Sequence, residues 1–367
     1  MDKQAALHHF KEHHFTPLLD IQLDMLEAKF HRCQAQLISD FKESFRDLCI
    51  HILGMQQQGQ KEAIGYIHYS FLRTQILEQS YLYMVEAYSA EWYEDDSDCK
   101  LTYDASWAYA PMSAMLEALE QERKIYMGTI TSVDVERLML ESAPFFHQFV
   151  NSLLRLGLAE AILMPEYLAI HKTDRLAIRT GEYKDISENL YVEDQEALVP
   201  DDVSEQLMQS SEEEPYVYEN LKQLSLPHLH LIQKDLRYND FSHSDLRESQ
   251  FHTCILIGSI WQRANLEGGS FQGCLLTDTD FRYSDLRGAN FSSASGQPHR
   301  EHGVRVPGLC GLRFEHANLD GADFTDVHSF EHAYFEGASM QGTLVPRKYQ
   351  QHWKLNEVQR QSIVWTE

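Results

Sequence analysis

The segment His8-His9-Phe10-Lys11-Glu12-His13-His14 carries the spacing best suited to chemistry in this chain. On a helix His9 and His13 share one face, as do His8 and Glu12, and two imidazoles placed so can grip one metal ion. The zinc-protease pattern HExxH is absent, because Glu12 follows Lys11. No third ligand is fixed by the sequence, so His9 and His13 are weak metal candidates and a solvated segment is the expectation. No GxGxxG or GxxxxGK[ST] offers a phosphate cradle. No GxSxG elbow or papain-like cysteine context is present either. Glu94, Asp95, Asp96 and Asp98 lack the EF-hand spacing, so they read as a solvated loop rather than a calcium site. Tyr81, Tyr83, Tyr88, Trp92, Tyr93, Trp107 and Tyr109 either line a pocket or, as favoured here, pack a core with hydroxyls at its rim. The expectation is a chain that is not an enzyme, with no catalytic residue and no cofactor.

What must position such residues follows from composition. Of 367 residues 43% are apolar and 11% aromatic, enough to build real cores over two domains. No run of 18 apolar residues occurs, so no membrane span is expected. The start MDKQAALHHF lacks a signal-peptide stretch, and the six cysteines contain no CxxC pair. A cytoplasmic chain with reduced thiols is therefore expected. A formal charge of −25 would be repelled by a phosphate backbone, which argues against direct nucleic-acid binding. Acidity serves solubility, or attracts a basic partner.

Residues 1–192 read as a mainly helical domain with a small β element. Thr16-Pro17 is a helix start, with Thr as N-cap. Leu19, Leu23, Leu26, Phe30, Cys33, Leu37, Phe41, Phe45, Leu48 and Ile52 then keep a three-to-four spacing, an amphipathic helix of roughly 40 residues. Further helices are expected over 61–78, 106–127 and 133–169, the last broken near Pro165. YLYMVEAY and RLAIRTGEY alternate as short strands, expected to pair with each other. Between Glu193 and Asn220 stand ten acidic residues and no Lys or Arg. Residues 193–225 therefore read as an extended acidic linker.

From Leu236 a large apolar residue recurs every fifth position through Phe241, Leu246, Phe251, Leu256, Trp261, Leu266, Phe271, Leu276, Phe281, Leu286 and Phe291. From Ser244 onward a small residue stands two places before each. Five is neither a helical nor a strand period, so this is an internal repeat. After Phe291 the rhythm breaks, then resumes at Phe314, Leu319 and Phe324, and again one residue out of phase at Phe330, Phe335, Met340 and Val345. A loop insertion over 292–313 is expected.

The pentapeptides RANLE, SDLRG, GANFS, EHANLDGADF and EGASM resemble the pentapeptide-repeat family, whose signature is A(D/N)LxX. The resemblance covers about a third of the chain. It implies a right-handed quadrilateral β-helix over 226–345, with four pentapeptides per coil and the large and small residues both pointing inward. The fold class expected is thus multidomain α + β, a helical domain followed by this solenoid. Cys254 and Cys274 become stacked core fillers. The segment 346–367 becomes a C-terminal cap built on Asn356, Gln359, Trp353, Val358, Ile363 and Trp365, with a homodimer contact as the alternative. Helical extensions of this kind also precede repeats in some bacterial members of unassigned role.

With twenty residues per coil, Ile255, Ile257 and Leu275 fall on the exterior of one face and form an apolar patch. They read as a partner-binding surface, or as a surface the chain covers itself with Leu207, Met208 or Leu224. The loop residues His299, Arg300 and Arg305 are the second partner-binding candidates. The reading is a non-catalytic interaction or scaffold protein, with a rigid β-helix platform and a partner-specific acidic helical domain. In the quinolone-resistance branch of the family the rod imitates DNA and loops engage gyrase, so a DNA-mimicking modulator of a type II topoisomerase is the alternative. This sequence departs from that branch in its short rod and large non-repeat part. An enzyme in the helical domain, accessory to peptide natural-product maturation, is a third reading.

Overall fold

The computed structural model describes residues 2–194, 198–211, 215–301, 304–306 and 308–367, with backbone alone for 299–301 and 304–306. It divides into two compact units, Met1–Asp194 with Arg300–Leu309, and Gln195–His299 with Cys310–Glu367.

In the first unit, α1 (Lys3–Phe10) runs through a π-helical turn (Lys11–Phe15) into α2 (Thr16–Gln57). The expected N-cap at Thr16 is thus not a start. The residue before it is already helical, and the π turn lets both Phe10 and Phe15 reach the core. Along α2 the three-to-four apolar stripe is buried from Leu19 to Ile52, except for exposed Cys33 and half-buried Leu37. The span 61–78, expected to be helical, instead holds β1 (Ile64–Phe71) and the short α3 (Arg73–Leu77). Strand β1 is buried on both faces, apart from half-buried Tyr66, so the alternation that marks a strand is missing from its sequence. It lies at the centre of a sheet completed by β2 (Leu82–Tyr88), β3 (Lys100–Asp104), β4 (Lys172–Glu182) and β5 (Ser187–Asp194), in the order β3-β2-β1-β4-β5. The strands foreseen at YLYMVEAY and RLAIRTGEY exist, but they flank β1, antiparallel and parallel to it respectively, rather than pairing with each other.

α4 (Ser106–Glu122) and α5 (Ser132–Ala161) pack with α2, and α5 starts in a Thr131/Asp134 capping box. α6 (Pro165–Leu168) follows the break near Pro165. The core of this unit joins the α2, α4 and α5 stripes to one face of the sheet, and includes Leu309.

The second unit is the repeat. Parallel bridges join residues twenty apart, from Asn220 with Asp240 to Leu275 with Ser295. A positive φ recurs every fifth residue, as at Tyr238, His243, Glu248 and Thr253, so each coil turns four times. At Gly258, φ is +63° and an added Cβ would meet the Tyr238 ring at 2.4 Å, so a side chain there would have to displace that ring. All twelve fifth-position residues are fully buried. Their aromatics stack coil on coil in two columns. Phe251, Phe271, Phe291 and Phe324 stack at 4.8–5.3 Å, and Trp261 lies between Phe241 and Phe281 in the other. The small residues do more than save volume. The hydroxyls of Ser244, Ser249 and Thr279 donate to carbonyls of the preceding coil, at Leu221, Leu226 and Leu256.

The repeat starts before residue 226, since Leu221 is buried and in phase with Leu226 and Leu231. The residues two before the last two are Leu224 and Leu229, too large for the small-residue rule. Within the supposed linker, α7 (Pro200–Gln209) lays Val203 and Leu207 into the same core. Lys234 donates to the carbonyls of Met208 and Ser210 at its C-terminal end. The end of the bore is thereby covered. The loop insertion is shorter than foreseen, because Gly296 still bonds to His328 and Arg313 is already back beside Thr279. Asp278 receives the returning chain by accepting from the N–H groups of Cys310 and Gly311.

At the C-terminal end, Trp353 is buried against Phe335 and donates to the Phe330 carbonyl, while Tyr349 stacks on it. α8 (Glu357–Ser362) opens in the Asn356/Gln359 capping box, and Gln359 also donates to Phe335 O and Ala338 O. Ile363 is buried and Trp365 packs against the core. Val358, expected to join them, is exposed.

Candidate functional site

Asp40, Glu43, Ser44 and Asp47 recur at helical spacing on α2, so their side chains form one stripe. The basic residues between them are turned elsewhere and engaged. Lys42 pairs with Glu160 and Arg46 with Glu166. Opposite the stripe runs β3, where Lys100–Asp104 pairs with β2 on one side only. Together with Leu37 and Trp107 they enclose a groove of about 640 Å3. Its floor is apolar, made by half-buried Leu37, Leu101 and Trp107 over buried Tyr103. The Trp107 indole donates to the Tyr103 hydroxyl, which fixes the ring, and Lys29 donates to the Trp107 carbonyl. Its rim carries Asp40, Glu43, Asp47 and Asp104, all exposed, and among the described residues no cation lines it. Asp40 accepts from Gln36, and Asp104 caps the Ser106 N–H. Glu43 and Asp47 have no partner among the described residues.

The backbone of β3 adds directional chemistry. Ala87 N–H donates to Cys99 O and Ala105 N–H to Tyr81 O, so the odd-numbered residues bond β2. By the alternation of an antiparallel ladder, the N–H and C=O groups of Lys100, Thr102 and Asp104 point away from the sheet. Sequence reasoning missed this site. Its signal was the spacing of Asp40, Glu43 and Asp47 beside the apolar stripe.

Of the sequence-derived candidates, Ile255 and Leu275 bridge one another and are half-buried, but Ile257 is only 2% exposed. The expected exposed patch is therefore corrected at Ile257. Its register neighbours one coil away are Arg237, clamped on Asp235, and buried Thr277, so that column is shielded. Leu207 and Leu224 belong to the bore, and Met208 is exposed. The side chains of His299, Arg300 and Arg305 lie outside the described residues. His9 and His13 stack with ring centres 4.0 Å apart. The His9 Nδ1 faces Tyr126 OH and the His13 Nδ1 faces the His9 carbonyl. Among the described residues no group of three or more His, Cys, Asp or Glu is placed to hold a metal.

The sheet face away from the α2 and α5 core holds a polar row, in which His68 is buried and Glu86 and Arg179 are half-buried. Glu86, His68 and Arg179 stand opposite one another across β2, β1 and β4. Trp92 and Tyr93 lie against it, Tyr93 OH 2.9 Å from His68 Nδ1 and the Arg179 guanidinium 5.1 Å from the Trp92 ring centre. Burial first, then Arg179 and His147, lowers His68 to about 4. Burial likewise lowers His147, bonded to Tyr83 OH, to about 4, with Glu188 opposing and Arg155 adding. Both lie below the ordinary value of 6.5, so the unfolded chain binds more protons between pH 6.5 and 4. Stability is full above pH 6.5, falls through that window and levels off below it, by roughly 3 kcal/mol per histidine. His147→Gln is expected to flatten the dependence of the first unit's melting temperature on pH from 7 to 4. An unchanged slope would remove His147 from this account.

Among the described residues no helix is long and apolar enough to cross a membrane. The second unit is a repeat solenoid of β-helix type, joined by parallel bridges from coil to coil. The family model for pentapeptide repeats matches residues 262–295 and 309–342 as eight copies, so these residues of the second unit are pentapeptide repeats. No match is found among curated proteins. Among solved structures, a trypsin-treated QnrB1, titled a plasmid-mediated fluoroquinolone resistance protein, is similar at 16% identity, with a TM-score of 0.26. The alignment covers 35% of this chain and 62% of that one. Rfr23, a pentapeptide repeat protein from the cyanobacterium Cyanothece 51142, is 19% identical over 41% of this chain and 90% of that one, with a TM-score of 0.23. HetL from Nostoc sp. strain PCC 7120, titled as involved in heterocyst differentiation regulation, is 21% identical over 41% and 82%, with a TM-score of 0.17.

Proposed function

We propose that this chain is a non-catalytic protein–protein interaction protein, in which the solenoid is a rigid platform and the acidic first unit selects the partner. The observation that carries this reading is the groove between α2 and β3. Its carboxylate rim surrounds an apolar floor without an internal cation, which suits a protein surface of opposite charge. Pentapeptide-repeat proteins are generally structural or interaction proteins, in keeping with this role. The topoisomerase-directed DNA mimic is less well supported. A mimic needs rows of open carboxylate, whereas Asp235, Asp245, Asp280 and Asp285 are each clamped by the arginine two residues on.

Photo-crosslinking in the native host tests the proposal, with a crosslinker placed in the full chain at Ser44 or at Ile255. One dominant protein adduct from either position is expected. Adducts no stronger than those from a crosslinker at exposed Val358 would end the reading.

A further inference from the structure

We infer that the groove binds a basic, extended segment of a partner protein, which adds to the sheet as a strand on the free edge of β3. This rests on the interaction reading above and specifies its partner. Three independent features converge on it. The outward N–H and C=O groups of Lys100, Thr102 and Asp104 form an edge that is unpaired among the described residues, the template for strand addition. The edge is not blunted by proline or a bulge, and Lys100 is drawn to Asp98 instead of guarding it. An added strand would send alternate side chains toward α2. There the floor of Leu37, Leu101 and Trp107 and the rim of Asp40, Glu43 and Asp47 match one side-chain type, a long aliphatic stem ending in a cation. Lysine and arginine lay their stems on apolar surface and carry their charge to its edge.

Spacing agrees. Asp40 to Asp47 spans about 10 Å along the helix axis, and alternate residues of a strand are about 7 Å apart, so two successive inward cations meet this stripe. A second copy of the chain is the wrong occupant. Pairing β3 with its own symmetry mate would bring two acidic rims together in a chain of charge −25.

The test uses the full-length chain and a nine-residue peptide of alternating lysine and threonine, followed by titration calorimetry. Binding that weakens with salt is expected. Charge reversal by Asp40→Lys, Glu43→Lys and Asp47→Lys together should weaken it about tenfold or more. Thr102→Pro deletes only an outward donor, since proline is tolerated on an edge strand, and should weaken binding about twofold to tenfold. A peptide of alternating lysine and proline keeps the charge but cannot pair as a strand, so it should bind far more weakly. That peptide also carries the pairing test if Thr102→Pro loses its melting transition.

Equal binding of the two peptides, equal binding to the charge-reversed chain, or no binding of the lysine–threonine peptide would each overturn the inference. A partner crosslinked from Ile255 but not from Ser44 would leave the interaction reading standing and remove the groove. Failure at both positions would remove the reading itself.

Discussion

Phe271→Ala is expected to destabilise the repeat unit by about 3–5 kcal/mol, as large-to-small changes at fully packed aromatic sites do. Phe271 is fully buried at mid-bore. Its ring stacks on Phe251 at 5.3 Å and Phe291 at 5.0 Å, and meets Trp261 and Phe281 edge-on at 5.7 and 5.2 Å. Truncation removes four aromatic contacts and leaves a void that flanking coils cannot fill, because bridges twenty residues apart fix their spacing. A solenoid passes stability from each coil to the next, so a weakened middle coil also uncouples the coils on either side. Urea unfolding followed by tryptophan emission should show a lower midpoint, with Trp261 reporting from beside the lesion. Phe271→Leu keeps most of the volume and should cost less than half as much. A loss under about 1 kcal/mol for Phe271→Ala would mean the stacked column is not the core of this unit.

That column was legible in the sequence because its period is set locally. Each pentapeptide repeats one turn and one inward residue, so the order of Leu236 to Phe291 already states which side chains share a bore. The C-terminal cap was legible for a similar reason, since Asn356 and Gln359 satisfy each other three residues apart. What escaped was whatever depends on partners distant in the chain. Strand β1 hid because neighbours on both faces erase its alternation. Helix α7 hid behind its charge, although Pro200 at its first turn and Val203 with Leu207 four apart were visible signs. The groove escaped because α2 and β3 meet some sixty residues apart in sequence, and a stripe of carboxylates on a helix reads as solvent-facing until its neighbour is known.

Asp95 is the sharpest instance of that limit, and Lys61→Ala is the substitution that exposes it. A run of acidic residues from Glu94 to Asp98 suggested a solvated loop, yet the Asp95 side chain is 7% exposed and pairs at 2.7 Å with Lys61, whose side chain is fully buried. Burial alone would raise the Asp95 carboxyl. Hydrogen bonds from Lys61, from the Ser97 hydroxyl and from the Ser89 and Ser97 N–H groups outweigh it and hold the group well below the usual carboxylate range. Removing the cation leaves a buried carboxylate without its counter-charge, which costs about 3–5 kcal/mol. The wild-type pair stabilises above the unfolded carboxylate value and loses that contribution as pH falls through the lowered folded value. In Lys61→Ala the carboxyl takes a proton more readily, so the difference from wild type should be largest near pH 7 and shrink toward pH 4. Lys61→Ala combined with Asp95→Asn removes both charges and should recover at least half of the loss, a coupling read from the double-mutant cycle with the two single variants. The loop that Asp95 organises also carries Trp92 and Tyr93 over His68, so faster amide exchange is expected there in the single variant. A pH-independent cost below about 1 kcal/mol would place this pair with ordinary surface ion pairs.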